Sequence, residues 1–380
     1  MAKDRATIVA GIILVIAGMQ VFIIQPGFIA ILHSVLRLTD AWAGYVASAE
    51  MFGLAASTIF VALLGRRLPW RTAVGVAAAV LAGANLASTL APSPTAFLLT
   101  RAAAGLGAGV LVSVGYSMLG QVRHPDRAFG YGIMALLSYG AAGIYLLPGL
   151  RDMIGLTGIL FLLAALAVLP VLLLPFLPVG SAASVPDSDD DRHAGDNRFA
   201  ANMALVAVTL FFLGQGVVWA YLSLIGTAAG IAEQDVASGL ALSQVSGILG
   251  ALGMAWLSGR VPQRALLLGG TVASVVPLLA MMGHPGALRY GLSVIVFNGA
   301  ANLMTPLLMA LAAVAGKGNA AVIQRAAALQ MIGLAVGPIL SAPLAQYSGF
   351  TPVMMLAALL FACVYPITQW RRHRRGTPLA

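Results

Sequence analysis

Apolar residues run through this chain in long blocks, broken at intervals by short clusters of charge, proline and glycine. The blocks lie near 7–32, 41–64, 72–91, 96–121, 128–149 and 153–178, then near 199–226, 236–258, 265–283, 288–315, 320–346 and 352–370. Most are about 20 residues or longer, which as helix crosses a hydrocarbon core of about 30 Å. Period-two alternation is weak throughout, so the pattern predicts helices and argues against an outer-membrane barrel. Twelve transmembrane helices follow, in two sets of six.

The breaks contain a repeat. Arg67-Leu68-Pro69-Trp70-Arg71 follows the second block, and Arg260-Val261-Pro262-Gln263-Arg264 follows the eighth, 193 residues later in a chain of 380. Both read Arg-(Leu/Val)-Pro-x-Arg, and both are too charged for hydrocarbon. A duplicated membrane protein whose halves carry the same water-facing turn accounts for them. The expected organisation is a six-helix bundle over 1–178, an acidic linker over 179–198 and a second six-helix bundle over 199–380.

Composition agrees. Hydrophobic residues make up 60% of the chain and charged residues 9%, with a mean hydropathy of +0.94, against about 45–50% and about 25% in soluble domains. The net charge of +9 invites a nucleic-acid reading, but the basic residues sit in short breaks and form no stripe interleaved with aromatics. Placing both termini in the cytoplasm puts seventeen of the 21 Lys and Arg on the inside and only Arg37, Arg151 and Arg289 outside. That bias is what the positive-inside rule requires, and a missed helix early in the chain would scramble it. The start, Met1 to Arg5 and then a long apolar run, has no convincing small-residue cleavage site and reads as a retained first helix. The expected location is the cytoplasmic (inner) membrane.

Asp187, Asp189, Asp190, Asp191 and Asp196 give the 180–198 stretch its acidity, without the spaced ligands and turn glycine of a calcium loop. It reads as a solvated linker. Cys363 is the only cysteine, so no intrachain disulfide is possible. His33, His124, His193, His284 and His373 fall at loops or helix ends with no ligand spacing, which predicts no metal site. The chain carries no P-loop and no Ser/His/Asp set, so neither an ATP-driven pump nor an embedded enzyme has its parts. No cofactor is expected.

Two ionisable residues remain inside the apolar blocks, Glu50 in the second and Arg101 in the fourth. Charge in hydrocarbon is costly and normally faces a partner or an aqueous cavity, which marks both as functional candidates. A structural Arg–Glu pair joining two helices is the plainer alternative. Arg101 stands four residues before Gly105-Leu106-Gly107-Ala108-Gly109, a run that lets a neighbouring backbone come close. As a dinucleotide loop it fails, since no strand precedes it.

On these residues the chain resembles the major facilitator superfamily of secondary transporters. Arg101, Gly105 and Gly107 are similar to that family's motif B, whose arginine is associated with proton coupling in many members; the resemblance assigns that role to Arg101. The twin basic turns are similar to its motif A. The motif's usual aspartate is missing, with Gly65-Arg66 and Ser258-Gly259 where it would stand, so the acid half of a cytoplasmic latch is absent. A glycine-proline series associated with antiporters is loose at Gly140, Gly143, Pro148 and Gly149, and cleaner at Gly333, Gly337 and Pro338.

The resemblance implies a central cavity lined by the first, fourth, seventh and tenth helices. Their polar side chains are then the substrate candidates: Gln20 and Gln25, Tyr116 with Ser113 and Ser117, Gln215, Trp219 and Tyr221, and Asn298 and Asn302. Interhelical hydrogen bonding is the alternative role for each. Amides and aromatic rings with one arginine and one glutamate suit a small organic solute. The expected function is a monomeric, proton-coupled secondary transporter of such a solute, driven by the proton gradient through alternating access. An uncoupled facilitator or organic-anion carrier anchored by Arg101, and a non-transporting sensor or assembly partner on the same fold, stay open.

Overall fold

The computed structural model describes residues 2–64, 69–174, 195–316 and 320–375. Over them the chain forms helices α1 (Ala2–Val35), α2 (Asp40–Leu64), α3 (Trp70–Thr89), α4 (Pro94–Gly120), α5 (Pro125–Leu172), α6 (Gly195–Trp219), α7 (Leu222–Ala228), α8 (Glu233–Leu257), α9 (Gln263–Ala280), α10 (Ala287–Ala315), α11 (Ala320–Ser348) and α12 (Phe350–Arg375), and no strand among the described residues. Eleven of these helices are long and apolar enough to cross a membrane. Large apolar side chains such as Leu63, Leu99, Leu249 and Leu359 lie mostly exposed. An aqueous protein would bury them, but lipid accepts them at no cost. The protein is an all-helical, multi-pass membrane protein.

One helix matches the expected pattern through a kink and another block departs from it. The blocks at 128–149 and 153–178 are the two arms of α5, 48 residues long, which meet at a kink where Gly155 adopts φ 67° and ψ −179°, close to the expected break. A straight helix of that length would reach about 72 Å at about 1.5 Å per residue, more than twice a hydrocarbon core, so the glycine break divides α5 into two membrane-length pieces. Conversely, the block at 199–226 starts earlier, at Gly195, and breaks after Trp219 into α6 and the short α7. The 179–194 part of the expected linker lies outside the described residues, as do Arg66 and Arg67.

Helix packing follows one scheme twice. Helix α1 packs on α4 and α5, α2 on α4, and α3 on α4 and α5; later in the chain α6 packs on α10 and α11, α8 on α10, and α9 on α10 and α12. The two sets meet where α2 packs on α11 and α5 on α8. Glycines make these approaches possible. A methyl group at Gly105 would collide with the Glu50 carbonyl of α2, and one at Gly337 with the Gly216–Val217 backbone of α6. In a medium where lipid is as apolar as the side chains, such close backbone contact is a main source of association.

The basic turns are alike in form. Pro69 (φ −62°, ψ 123°) precedes α3 and Pro262 (φ −55°, ψ 134°) precedes α9. Arg71 and Arg264 fall in the first turns that follow. Arg260 lays its guanidinium over the Trp256 ring at 4.6 Å and donates to the Trp256 carbonyl.

Candidate functional site

The charged pair comes together. Glu50 on α2 and Arg101 on α4 are 5% and 0% exposed, with Arg101 Nη1 4.0 Å from Glu50 Oε2. The glycines of α4 explain the placement, because α2 can lie against Gly105 and Gly109 only where α4 has no side chains. At 4.0 Å the groups are past hydrogen-bond reach but within strong Coulomb range. The attraction is about 4 kcal/mol at an effective dielectric of about 20, against a desolvation cost of several kcal/mol per ion.

Arg101 is held mainly from the other side. Its Nη2 donates to Asn85 Oδ1 at 2.8 Å and to Ser88 Oγ at 2.9 Å, both on α3. Ser88 Oγ in turn lies 2.8 Å from Thr100 Oγ1. The Phe97 ring, one helical turn before Arg101, sits 5.7 Å from its guanidinium carbon. Arg101 Nε and Nη1 and Asn85 Nδ2 are buried without a hydrogen-bond partner. Asn85 and Ser88 were not among the expected site residues. Their signal is a single asparagine in an alanine-rich span with a serine three residues on, which puts both on one helix face.

The cavity candidates divide into four groups. Gln20 and Gln25 on α1 are 1% and 3% exposed. Both amide atoms of Gln20, Gln25 Nε2 and Gln215 Oε1 are buried and unpartnered. Asn298 and Asn302 form a run instead: Asn302 donates to Asn298 Oδ1, and Asn298 donates to Gln244 Oε1 at 2.9 Å. On α4, Tyr116 packs against the Phe129 ring at 5.9 Å, while Ser113 and Ser117 bond backbone carbonyls one turn back.

Trp219 and Tyr221 hold the two helix sets together. Trp219 Nε1 donates to the Phe22 carbonyl at 3.0 Å, and the Tyr221 hydroxyl to the Asp40 carbonyl at 2.9 Å. Gln244 Nε2 donates to the Ile23 carbonyl at 3.0 Å, Gln234 to the Tyr145 carbonyl, and the Ala41 amide to Gln346 Oε1. Arg151 and Glu233 add an ion pair at 2.6 Å. All six contacts lie between the helix midpoints and the end of the bundle away from both termini. A cavity of about 30 Å³ beside the ion pair, lined by Gly27, Leu147, Ser223 and Glu233 among others, has room for one or two waters.

Gly333 brings α11 against the Phe212–Leu213 backbone of α6, one turn before Gly337, whereas the Pro338 carbonyl faces Gly44 of α2 in a separate contact. Among the described residues no three His, Cys, Asp or Glu side chains converge as a metal cluster would. No protein-family model matches the chain, and no curated protein matches it.

Proposed function

We propose that this protein is a secondary transporter that moves a small organic solute across the membrane by alternating access, coupled to protons through Glu50. One observation carries the reading: a carboxylate and a guanidinium sit together, buried, inside membrane helices that belong to a duplicated packing scheme. A buried carboxylate with a cationic neighbour changes charge at a modest energetic cost when its surroundings change, and rocking of the bundles supplies that change. The six contacts at the end away from the termini describe a bundle closed on that side. Closure there is one of the two states alternating access requires. With the termini on the cytoplasmic side, as the charge bias argues, the protein is closed to the outside.

In this reading the unpartnered amides of Gln20, Gln25 and Gln215 supply the hydrogen bonds for the solute. Buried polar groups left without partners are expensive unless something else satisfies them. Gly333, Gly337 and Pro338, with Pro69, Arg71, Pro262 and Arg264 at the turns, serve the helix contacts and topology rather than the chemistry. The monomer is complete for this purpose, since both halves of the site come from one chain.

The test is a two-step measurement on reconstituted protein. A thermal-shift screen of neutral and monoanionic organic compounds finds a stabilising solute, and an internal pH dye then reads proton movement when a gradient of that solute is imposed. Wild type moves protons with the solute, and Glu50→Gln abolishes the proton signal while leaving solute binding in place. Proton movement unchanged in both Glu50→Gln and Arg101→Ala refutes the coupling.

A second reading rests on the free N–H groups of Arg101 Nε and Nη1, which an anionic solute could accept from. In that case the protein is an organic-anion carrier without proton coupling. Flux that ignores an imposed pH gradient, with solute affinity lost in Arg101→Ala, selects it. A ligand that stabilises the protein with no flux of any kind selects the non-transporting sensor.

A further inference from the structure

Arg101 presents two nitrogens to two different helices. Nη2 lies on α3, in contact with Asn85 Oδ1 at 2.8 Å and Ser88 Oγ at 2.9 Å. Nη1 faces α2, where Glu50 Oε2 stops at 4.0 Å. A free Arg–carboxylate pair closes to about 2.7–2.9 Å, commonly in a bidentate fork. Where the two helices cross, α4 presents Gly105 to the Glu50 carbonyl of α2. The restraint comes from the opposite side: a planar guanidinium whose Nη2 is bonded on α3 to Asn85 Oδ1, to Ser88 Oγ and, at 3.4 Å, to the Ala84 carbonyl cannot also turn its fork onto α2.

We infer that Asn85 and Ser88 are positioning residues that hold Arg101 back from Glu50, so that the carboxyl can gain and lose its proton while the arginine stays in place. The inference rests on the reading of Glu50 as the proton carrier. Direct contact with Arg101 would tie the carboxylate into an ion pair, and α3 keeps the two groups 4.0 Å apart.

Few other charges act on this carboxyl. Helices α1, α4 and α11 pack against α2. Helix α4 brings Arg101. On α1, His33 is paired with Asp40 at 3.1 Å, ten residues and about 15 Å along α2 from Glu50. Helix α11 has Arg325 near its start and Tyr347 at its end, and α3 has Arg71 in its first turn, all near the ends of the bundle.

The test titrates the carboxyl itself. Infrared difference spectra of the purified full-length protein in lipid nanodiscs, recorded against pH, show the carbonyl stretch of a protonated carboxyl, and Glu50→Gln identifies which band is its own. Asn85→Leu releases Arg101 towards Glu50, and the midpoint of the band falls by about one pH unit, a tenfold weaker hold on the proton. Ser88→Ala shifts it the same way by less. Asn85→Asp supplies a competing carboxylate on α3 that draws Arg101 away, so the midpoint rises. Shifts of opposite sign from two substitutions at one position are not what general loosening of the fold produces. If Asn85→Leu fails to fold, Ser88→Ala and Asn85→Asp still carry opposite expected signs.

A Glu50 band that titrates identically in all four proteins, or that moves the same way in Asn85→Leu and Asn85→Asp, overturns the positioning role while leaving proton coupling intact. A Glu50 carboxyl that never titrates overturns both.

Discussion

Trp219 on α6 donates its indole N–H to the main-chain carbonyl of Phe22 on α1 across 3.0 Å, and their rings lie 6.5 Å apart. The contact joins the start of the chain to its second half at the level where α6 breaks into α7. Two residues later the Tyr221 hydroxyl repeats the device on Asp40 of α2. Rigid amphipathic side chains bonded to backbone join the two helix sets through few groups, and in the proposed transport cycle they form the seal on that side.

Tyr221→Phe removes one hydroxyl and little else, since the ring stays packed on Phe350. The loss of one neutral hydrogen bond is worth about 0.5–1.5 kcal/mol, so the closed population should fall by roughly 2- to 12-fold relative to the open one. A single cysteine at Ala41, in a Cys363→Ser background, reports this as faster labelling by a water-soluble maleimide. An unchanged rate would remove Tyr221 from the seal.

Arg151 and Glu233 bridge α5 and α8 at 2.6 Å, yet the Glu233 side chain is 49% exposed. Exposed ion pairs contribute about 0–1 kcal/mol. Glu233→Gln should therefore raise the same labelling rate less than Tyr221→Phe does. Its effect should disappear at about 1 M salt, where the screening length is about 3 Å. A Glu233→Gln effect that survives high salt would mean the pair acts through geometry rather than charge.

Gly105 and Gly253 make a matched pair of tests. A methyl at Gly105 meets the Glu50 carbonyl and the Leu54 amide, whereas one at Gly253 meets nothing within 4 Å. Gly105→Ala should cost about 1–3 kcal/mol as overpacking and lower the melting temperature in detergent. Gly253→Ala should leave it unchanged or raise it slightly, by the roughly 0.4–1 kcal/mol that a compatible Gly→Ala change contributes.

Arg260 stacks on Trp256 at the surface, and no acid stands at Ser258-Gly259 to make a latch with it. Arg260→Ala should change stability by under about 1 kcal/mol, the scale of an exposed cation–π contact, and leave solute-dependent proton movement at the wild-type rate. A transport defect in this variant would restore a gating role to the turn.

The membrane, the helices and the two buried charges are legible in the amino-acid sequence, because each follows from a local or compositional constraint. Hydrocarbon demands long apolar helices, and Gly105, Gly107 and Gly109 declare a close approach without naming the partner. The repeated turn gave the period of the packing scheme before any contact was known. What each side chain meets is a matter of how the helices pack. That Arg101 is held by Asn85 and Ser88 depends on which face α3 turns to α4, and no pattern within either helix encodes that pairing. That Trp219 and Tyr221 bond across the two helix sets while Gln20 stays unpartnered depends on how α6 ends, and the apolar run through 199–226 hides that break. The break near Gly155 was legible between the blocks at 128–149 and 153–178, but its form, a positive φ, is a property of the folded backbone that glycine merely permits.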